Sequence, residues 1–253
     1  MAILEVKNCT KRFGGLVAVK SLHMSLNEGD LYGLIGPNGA GKTTIFNLMT
    51  GVYKPDTGSI DLDGKPIHNL KPSMIAKLGL SRTFQNIRLF RSMTVLENVT
   101  VARHMRKSQG LFDAVVRTDR LKKEEEGIRR DALELLNIFN LDKRAHEPAV
   151  NLPYGSQRRL EIARALATNP KVLLLDEPAA GMNPQESLEL MHLIRSIRDK
   201  FRLTVLLVEH NMKVVMGVCA KIQVIDYGET IALGTPKEIQ DNPKVIEAYL
   251  GGA

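Results

Sequence analysis

Cysteine, long apolar runs and internal repeats are all scarce or absent in this 253-residue chain. The two cysteines, Cys9 and Cys219, form no paired motif, so we expect reduced thiols in a cytosolic protein. Apolar stretches such as VLLLDEP and LTVLLVEH are far shorter than the roughly 18–20 residues that span a bilayer, which argues against a transmembrane helix. The N-terminal sequence MAILEVKNCTKRF has no apolar signal-peptide core, so we expect no export.

The composition that remains is that of an ordinary globular protein, 43% hydrophobic and 25% charged. A chain of this length can form one large domain, or a domain with a subdomain. The net charge of +7 permits an acidic partner, such as nucleic acid, a nucleotide or an anionic membrane face. Much of the basic excess lies between residues 82 and 130 and includes Arg82. We interpret it as a solvated helical face, so charge alone selects no partner.

The apolar pattern predicts an α/β fold. GDLYGLIG has the form of a buried strand, and KTTIFNLMTG that of a helix ending at Gly51. PDTGSIDLDGKPI predicts a small antiparallel sheet. KVLLLDEP and LTVLLVEH are continuous apolar runs typical of buried parallel strands, separated by a helix that starts near Pro184. IQVIDYGETIALG predicts a hairpin around Tyr227 and Gly228, followed by a short helical tail.

These elements predict one domain over residues 1–253 with a helical insertion. Residues 1–88 and 160–235 should form the core with its antiparallel β subdomain. Residues 89–159 should form a helical subdomain interrupted at Gly110 and Gly127, and residues 236–253 a C-terminal helical tail.

The stretch GPNGAGKTT matches G-x-x-x-x-G-K-[ST] between a predicted strand and a predicted helix, the context that makes this motif specific. Its glycines allow a tight turn whose N–H groups point at phosphate oxygens, and the helix adds the positive end of its dipole. Lys42 should reach the β- and γ-phosphates, and the Thr43 hydroxyl should ligate magnesium. The predicted nucleotide contacts are Gly36, Pro37, Asn38, Gly39, Ala40, Gly41, Lys42, Thr43 and Thr44.

A second chemical signal is the pair of carboxylates that ends VLLLDEP. At the C-terminal edge of a parallel strand, Asp176 and Glu177 should lie beside the phosphate loop. Asp176 would hold the magnesium shell through water, and Glu177 would orient or deprotonate the attacking water as general base. An acidic pair at the end of a strand is, by itself, more often simply solvated in a loop than catalytic. Together with the phosphate loop, the catalytic interpretation is the better one.

Five motifs follow one another along the chain: the phosphate loop, the lone glutamine in RTFQN, LPYGSQRR, VLLLDEP and EH. In these motifs and their order, the sequence resembles the nucleotide-binding subunit of ABC transporters over nearly the whole chain. The resemblance implies an ATPase using ATP and Mg²⁺, with a P-loop NTPase (RecA-like) core. It assigns Phe13 to stacking on adenine, although an aromatic there fits a core position equally well. It assigns Gln85 to the magnesium and water site, and His210 to the γ-phosphate and attacking water. Asn183 stands where the family usually has Asp, in the loop that crosses to the partner subunit.

The family's signature loop reads Leu-Ser-Gly-Gly-Gln and grips the γ-phosphate bound to the opposite subunit. Pro153 removes the serine hydroxyl and one N–H, whereas Gly155, the N–H of Ser156 and the helix dipole remain. Losing one such donor typically costs about 100- to 1000-fold in rate. We therefore predict a heterodimer with a paralogous ATPase whose signature is intact, and rank a homodimer with two weakened sites below it. The signature positions here are Leu152, Pro153, Tyr154, Gly155 and Ser156.

Several stretches, among them RTFQNIRLFRSMTVLENV, RRLEIARAL and GTPKEIQDNPKVIEAYLG, look like the ATPases of branched-chain amino-acid importers. The insertion around GLFDAVVRT looks like the longer of that system's two ATPases. The resemblance implies two integral-membrane permeases, an extracytoplasmic solute-binding protein and a place on the cytoplasmic face of the inner membrane.

Other branches of the family remain as alternatives: urea or amide import, and lipopolysaccharide export. A soluble ATPase of this fold acting on nucleic acid is a further alternative, as is a non-catalytic regulatory subunit. The chain has neither the long coiled coil of repair members nor the tandem ATPase domains of translation members, so we expect no nucleic-acid partner. The complete set of phosphate-site residues argues against a regulatory subunit.

Overall fold

The computed structural model describes residues 2–104, 119–210 and 212–250, without the side chains of 119–123, Lys213 and Leu250. Gly110 and the insertion around GLFDAVVRT lie outside these residues. The chain forms two compact units, one of Met1–Gln85 with Lys171–Ala253 and the other of Asn86–Pro170.

The first unit contains two sheets and six helices among its described residues. The strands are β1 (Ala2–Phe13), β2 (Leu16–Asn27), β3 (Leu31–Ile35), β4 (Thr57–Leu62), β5 (Lys65–Pro66), β6 (Leu80–Arg82), β7 (Val172–Asp176), β8 (Thr204–Val208), β9 (Lys221–Asp226) and β10 (Glu229–Gly234). The helices are α1 (Lys42–Met49), α2 (Pro72–Leu78), α6 (Pro184–Phe201), α7 (Met212–Val218), α8 (Pro236–Gln240) and α9 (Pro243–Leu250).

The larger sheet has the strand order β10-β9-β3-β8-β7-β6, with β10 antiparallel and the other neighbours parallel. Every residue of β3, β7 and β8 is buried, as expected for parallel strands covered on both faces. Because β3 and β7 both flank β8, the loops after these strands leave the same edge of the sheet. The predicted α/β fold is confirmed.

The smaller sheet is antiparallel, in the order β2-β1-β4-β5. Its buried side chains, including Leu4, Leu26 and Ile60, join one hydrophobic cluster with Ile45 and Phe46 of α1. The antiparallel subdomain predicted from PDTGSIDLDGKPI is thus present, and it packs against the helix that follows the phosphate loop.

The second unit is helical in its described part. It contains α3 (Val95–His104), α4 (Asp119–Ile138) and α5 (Tyr154–Ala167), with short 3₁₀ turns at Asp142–Arg144 and Ala149–Asn151. Gly127 was expected to interrupt this region, but it lies inside α4. The boundary predicted between residues 159 and 160 falls inside α5, a continuous helix that belongs as a whole to the second unit.

Local signals in the sequence account for several element ends. The hairpin between β9 and β10 turns at Tyr227 and Gly228, both with positive φ. Helices α6 and α8 each begin with proline in the first turn and a capping box. Among the described residues, no helix combines the length and apolarity needed to cross a bilayer.

Candidate nucleotide site

The phosphate loop follows β3 and is shaped by glycines that approach neighbouring backbone closely. A Cβ on Gly36 would lie 2.0 Å from the carbonyl oxygen of Ile225, and one on Gly41 would lie 2.4 Å from that of Ala18. Gly41 is also left-handed, with φ 104°, directly before α1 begins at Lys42. A side chain at either position would displace the loop, so its curve depends on glycine there.

Lys42 lies inside the curve of this loop. Its Nζ donates to the carbonyl oxygens of Gly36 at 2.6 Å and Pro37 at 2.8 Å, and the residue is only 8% exposed. Burial lowers the pKa of Lys42, while the charges of Glu177 and Asp176 act in the opposite direction. The ammonium is therefore held inside the loop by two of its own carbonyl oxygens.

The donor atoms around the loop suit ATP with Mg²⁺. Thr43 is exposed in the first turn of α1, and Asn38 and Gly39 are exposed at the tip of the loop. Hydroxyl and carboxylate oxygens such as those of Thr43 and Asp176 are the ligands that Mg²⁺ prefers. No group of three or more His, Cys, Asp or Glu residues suited to a metal occurs in the described part of the chain.

Asp176 ends β7 and is bound to Arg82, an arginine expected on a solvated helical face. The Arg82 guanidinium donates from Nη2 to Asp176 Oδ2 at 2.7 Å and from Nη1 to Asn47 Oδ1 at 2.6 Å. The two charged side chains are only 7% and 5% exposed. The expectation of a solvated basic face is therefore wrong for Arg82, because β6 pairs with β7 and turns this side chain inward. In the sequence, the burial of Arg82 was indicated only by its position directly after the short run LGLS.

Glu177 has a left-handed backbone, with φ 47°, which is uncommon for a residue with a side chain. Its N–H donates to the Val208 carbonyl at 2.8 Å, which joins the ends of β7 and β8. Gln85 Nε2 donates to Glu177 Oε2 at 3.0 Å, and His210 Nδ1 lies 3.8 Å from the same oxygen. Strained backbone of this kind clusters at functional sites. The structure thus brings Gln85, Glu177 and His210 together around one carboxylate.

A further carboxylate, that of Glu209, binds the loop that follows Glu177. It is buried at the end of β8, and its Oε1 accepts from the Ala179 N–H at 2.9 Å. Burial raises the pKa of Glu209, and the Ala179 N–H acts in the opposite direction. The contact fixes the loop that follows Glu177. In the sequence Glu209 stands out only as the neighbour of His210, because its structural role depends on a contact across 30 residues.

Phe13 lies at the tip of the β1–β2 hairpin and is 42% exposed. Its ring meets Tyr53 edge to face, with centroids 5.1 Å apart, and Lys11 Nζ lies 5.5 Å from its centroid. The core interpretation of Phe13 is therefore wrong. An exposed ring face is compatible with stacking on a base, and that assignment stays a prediction.

The signature loop lies in the second unit, at the start of α5. Pro153 is the N-cap, with φ −55° and ψ 152°, and supplies no side-chain cap. The first helical bond runs from the Gln157 N–H to the Pro153 carbonyl at 2.9 Å, and Gln157 Nε2 donates to the Leu152 carbonyl at 2.8 Å. The bonds of α5 thus begin at Gln157, directly after the signature positions Tyr154, Gly155 and Ser156.

Asn183 is the N-cap of α6. Its side chain accepts from the Glu186 N–H at 2.9 Å, and the Glu186 carboxylate accepts from the Asn183 N–H at 3.1 Å. Asparagine caps a helix about as well as aspartate does, so this departure from the family pattern keeps the local geometry. The predicted role of Asn183 in a subunit contact stays a prediction.

Comparison with known proteins identifies the family. The ABC transporter model matches residues 19–180, and a branched-chain amino acid ATP-binding cassette transporter model matches residues 229–253. The high-affinity branched-chain amino acid transport ATP-binding protein LivG of Escherichia coli (strain K12) is 47% identical over 251 residues, covering 99% of this chain and 98% of LivG.

Solved structures agree. A crystal structure of an ATP-binding cassette of an ABC transporter, in its ADP conformation, superposes with a TM-score of 0.86 at 33% identity, covering 99% of both chains. A dimeric cassette in a post-hydrolysis state, bound to ADP and Pi, has a TM-score of 0.78 at 26% identity, covering 92% of this chain and 98% of the other. With a family model over most of its length and a relative nearly half identical from end to end, this chain belongs to the ABC transporter ATP-binding family.

Proposed function

We propose that this chain hydrolyses ATP to power an importer of branched-chain, hydrophobic amino acids. One observation carries the hydrolytic part: the Glu177 carboxylate at the end of β7, held by Gln85 and close to His210. The likeness to LivG and the match of residues 229–253 to a branched-chain transporter model support the solute class.

ATP is the substrate, and the loop N–H groups and Lys42 would hold its β- and γ-phosphates. Phe13 would stack on its adenine ring. Mg²⁺, when bound, would neutralise phosphate charge, and the residues that would hold it are Thr43, Gln85 and Asp176. Arg82 already fixes the orientation of the Asp176 carboxylate.

Glu177 would take a proton from the attacking water. The water oxygen forms a bond to the γ-phosphorus as the bond from that phosphorus to the ADP oxygen breaks. Gln85 would keep the Glu177 carboxylate facing the water, since it already donates to one of its oxygens. His210 would contact the γ-phosphate and steady the water from the other side.

A second ATPase subunit would complete each site. In this arrangement the signature loop of one chain grips the γ-phosphate held by the other, and Asn183 lies in the loop that crosses between them. The dimeric relative supports a two-subunit assembly. Because Pro153 offers neither a hydroxyl nor an N–H, this chain would complete its partner's site more weakly than an intact signature would. A paralogous partner would thus give one strong and one weaker site, and equal hydrolysis at both sites would contradict this.

Two integral-membrane permeases would form the pathway for the solute, with this chain bound at their cytoplasmic face and a solute-binding protein on the other side. The segment Asn86–Phe90 and the residues after it would be the contact surface for a permease. Closure of the ATPase dimer would pull on the permeases, and hydrolysis would release them, so transport rests on a coupling free energy between the two sites.

The test uses the complete transporter, purified from its native membranes and reconstituted in vesicles. Glu177→Gln should bind ATP normally and hydrolyse it about 100- to 10,000-fold more slowly, the usual contribution of a general base. Leucine uptake should be lost. Glu229→Gln, the same change at an exposed site on β10, should leave both rates unchanged. Normal uptake by Glu177→Gln would contradict the general-base role.

The solute is tested in the same vesicles. Uptake of radiolabelled leucine should be competed by isoleucine and valine but not by urea or short amides. ATP-dependent uptake of urea without leucine would place the chain in another transport branch. Co-purification with nucleic acid and without permeases would overturn the transport proposal altogether.

A further inference from the structure

A buried ion pair on α5 joins the signature loop to the segment that follows Gln85. Arg158 and Glu161 lie one turn apart, with Nη1 donating to Oε2 at 2.8 Å, and their side chains are 0% and 1% exposed. Removing two charges from water costs several kcal/mol per ion, and apolar residues often replace such pairs without loss of stability. Helix stability alone therefore does not explain why this pair is buried.

Each member of the pair makes a second contact that leads out of α5. Arg158 Nη2 donates to the Tyr154 hydroxyl at 3.3 Å, and its guanidinium carbon lies 5.9 Å from the centroid of that ring. Tyr154 is the third residue of the signature loop. Glu161 Oε1 accepts from the Arg88 backbone N–H at 3.1 Å, across 73 residues of sequence. Arg88 lies in the segment proposed to contact a permease.

We propose that Arg158 and Glu161 are positioning residues that transmit movement of the signature loop to the permease-contacting segment. The chain of contacts Tyr154–Arg158–Glu161–Arg88, here termed the signature linkage, lies wholly within the second unit. Both carboxylate oxygens and both terminal guanidinium nitrogens are used, so neither side chain can shift without loss of a charged hydrogen bond. Such networks hold a fixed geometry in a low-dielectric interior.

The signature linkage rests on the proposed transport function and adds to it a route through named side chains. A merely structural ion pair would affect stability, and it would not change the amount of solute moved per ATP. A linkage that positions Arg88 would affect stability and would also change coupling: hydrolysis would continue while its coupling to transport weakened. Residues that modulate coupling in this way typically change it by about 2- to 30-fold.

The experiment measures leucine uptake and ATP hydrolysis in the same reconstituted transporter. Glu161→Gln keeps the shape and an acceptor for Arg88 but loses the charge that orients Arg158. We expect basal hydrolysis close to wild type and uptake per ATP reduced about 2- to 30-fold. Asp131→Asn is the matched control, because it removes one charge from an exposed pair with Arg103 in the same unit. It should change neither quantity.

Tyr154→Phe provides a second test with little risk to folding, because Tyr154 is 46% exposed and the change removes a single oxygen. It removes only the hydroxyl that accepts from Arg158, and it should also lower uptake per ATP. If the contacts act as one linkage, the double variant should be no worse than the more severe single variant. Fully additive losses would overturn a single linkage.

The outcomes separate the two proposals. If wild-type vesicles hydrolyse ATP but take up no leucine, the proposed solute fails, whatever the variants do. If wild-type vesicles transport leucine and both variants keep a normal ratio of uptake to ATP, the signature linkage is overturned. Lower thermal stability of Glu161→Gln with unchanged coupling would likewise assign the pair a purely structural role.

Discussion

Arg82→Met is the substitution that tests most directly how the buried charges of the first unit are held. Methionine can fill most of the volume of the arginine stem, so the change removes chiefly the guanidinium and its bonds to Asp176 and Asn47. Asp176 would then remain nearly inaccessible to water without its cation. The cation–π contacts of Arg82 with Phe46 and Phe84, both at 5.2 Å, would also be lost.

The expected loss is large because only one partner is removed. Breaking a buried pair in this way typically costs about 3 to 5 kcal/mol of the free energy of unfolding. Lys20→Met is the control: it breaks a pair with Glu229 whose side chains are 60% and 52% exposed. Exposed pairs contribute at most about 1 kcal/mol. Adding Asp176→Asn to Arg82→Met removes both charges and should restore a large part of the loss.

The free energy of unfolding can be measured by urea titration at pH 7. The chain has no tryptophan, so circular dichroism is the better probe. The midpoint should fall while the slope stays constant, which would mean that stability rather than compactness has changed. If Arg82→Met lost no more stability than Lys20→Met, the conclusion that Arg82 and Asp176 form a strong buried pair would be refuted.

Three further predictions follow from buried groups and a helix cap. Burial raises the pKa of Glu209 above its ordinary value of 4.5, so its stabilising effect is complete below the unfolded pKa and is lost as pH rises through the folded one. Glu209→Gln should therefore gain stability relative to wild type as the pH rises above 4.5, in urea titrations at several pH values. Burial also raises the pKa of Cys9 to about 11 and that of Cys219 to about 12, so neither thiol should react with a disulfide reagent at neutral pH until urea unfolds the chain. Asn183→Ala should cost about 1 kcal/mol in the same titrations, and Asn183→Asp almost nothing; equal losses would mean that the cap does not stabilise α6.

The sequence was sufficient to predict the fold because its main elements carry strong local signals. The glycine-rich loop lies between an apolar run and a helix, and the runs at β7 and β8 are too apolar to be anything but buried. Turn residues marked the β9–β10 hairpin, and Pro184 marked the start of α6. In each case the signal lies within about ten residues of the element, so no tertiary information was needed.

The buried charges could not be predicted in this way, because their partners are distant in sequence. Arg82 and Asp176 are 94 residues apart, and Glu161 reaches Arg88 across 73. The basic residues near Arg82 in sequence predicted that its side chain is exposed to solvent. Its burial depends instead on the pairing of β6 with β7. A partial signal existed for Arg158: Ile162 and Ala165 follow at helical spacing on the same face, and both are buried.

The two buried arginines, Arg82 and Arg158, orient carboxylates inside the fold. A guanidinium stays charged and donates in a fixed planar fork, so it fixes the orientation of a carboxylate in a way that the single ammonium of lysine does not. Arg82 does this for the carboxylate proposed to hold Mg²⁺, and Arg158 does it for the carboxylate that reaches Arg88. Neither guanidinium is presented to solvent. Each of these arginines is paired with one buried carboxylate, so the two pairs are neutral and the net charge of +7 is carried by the other charged residues.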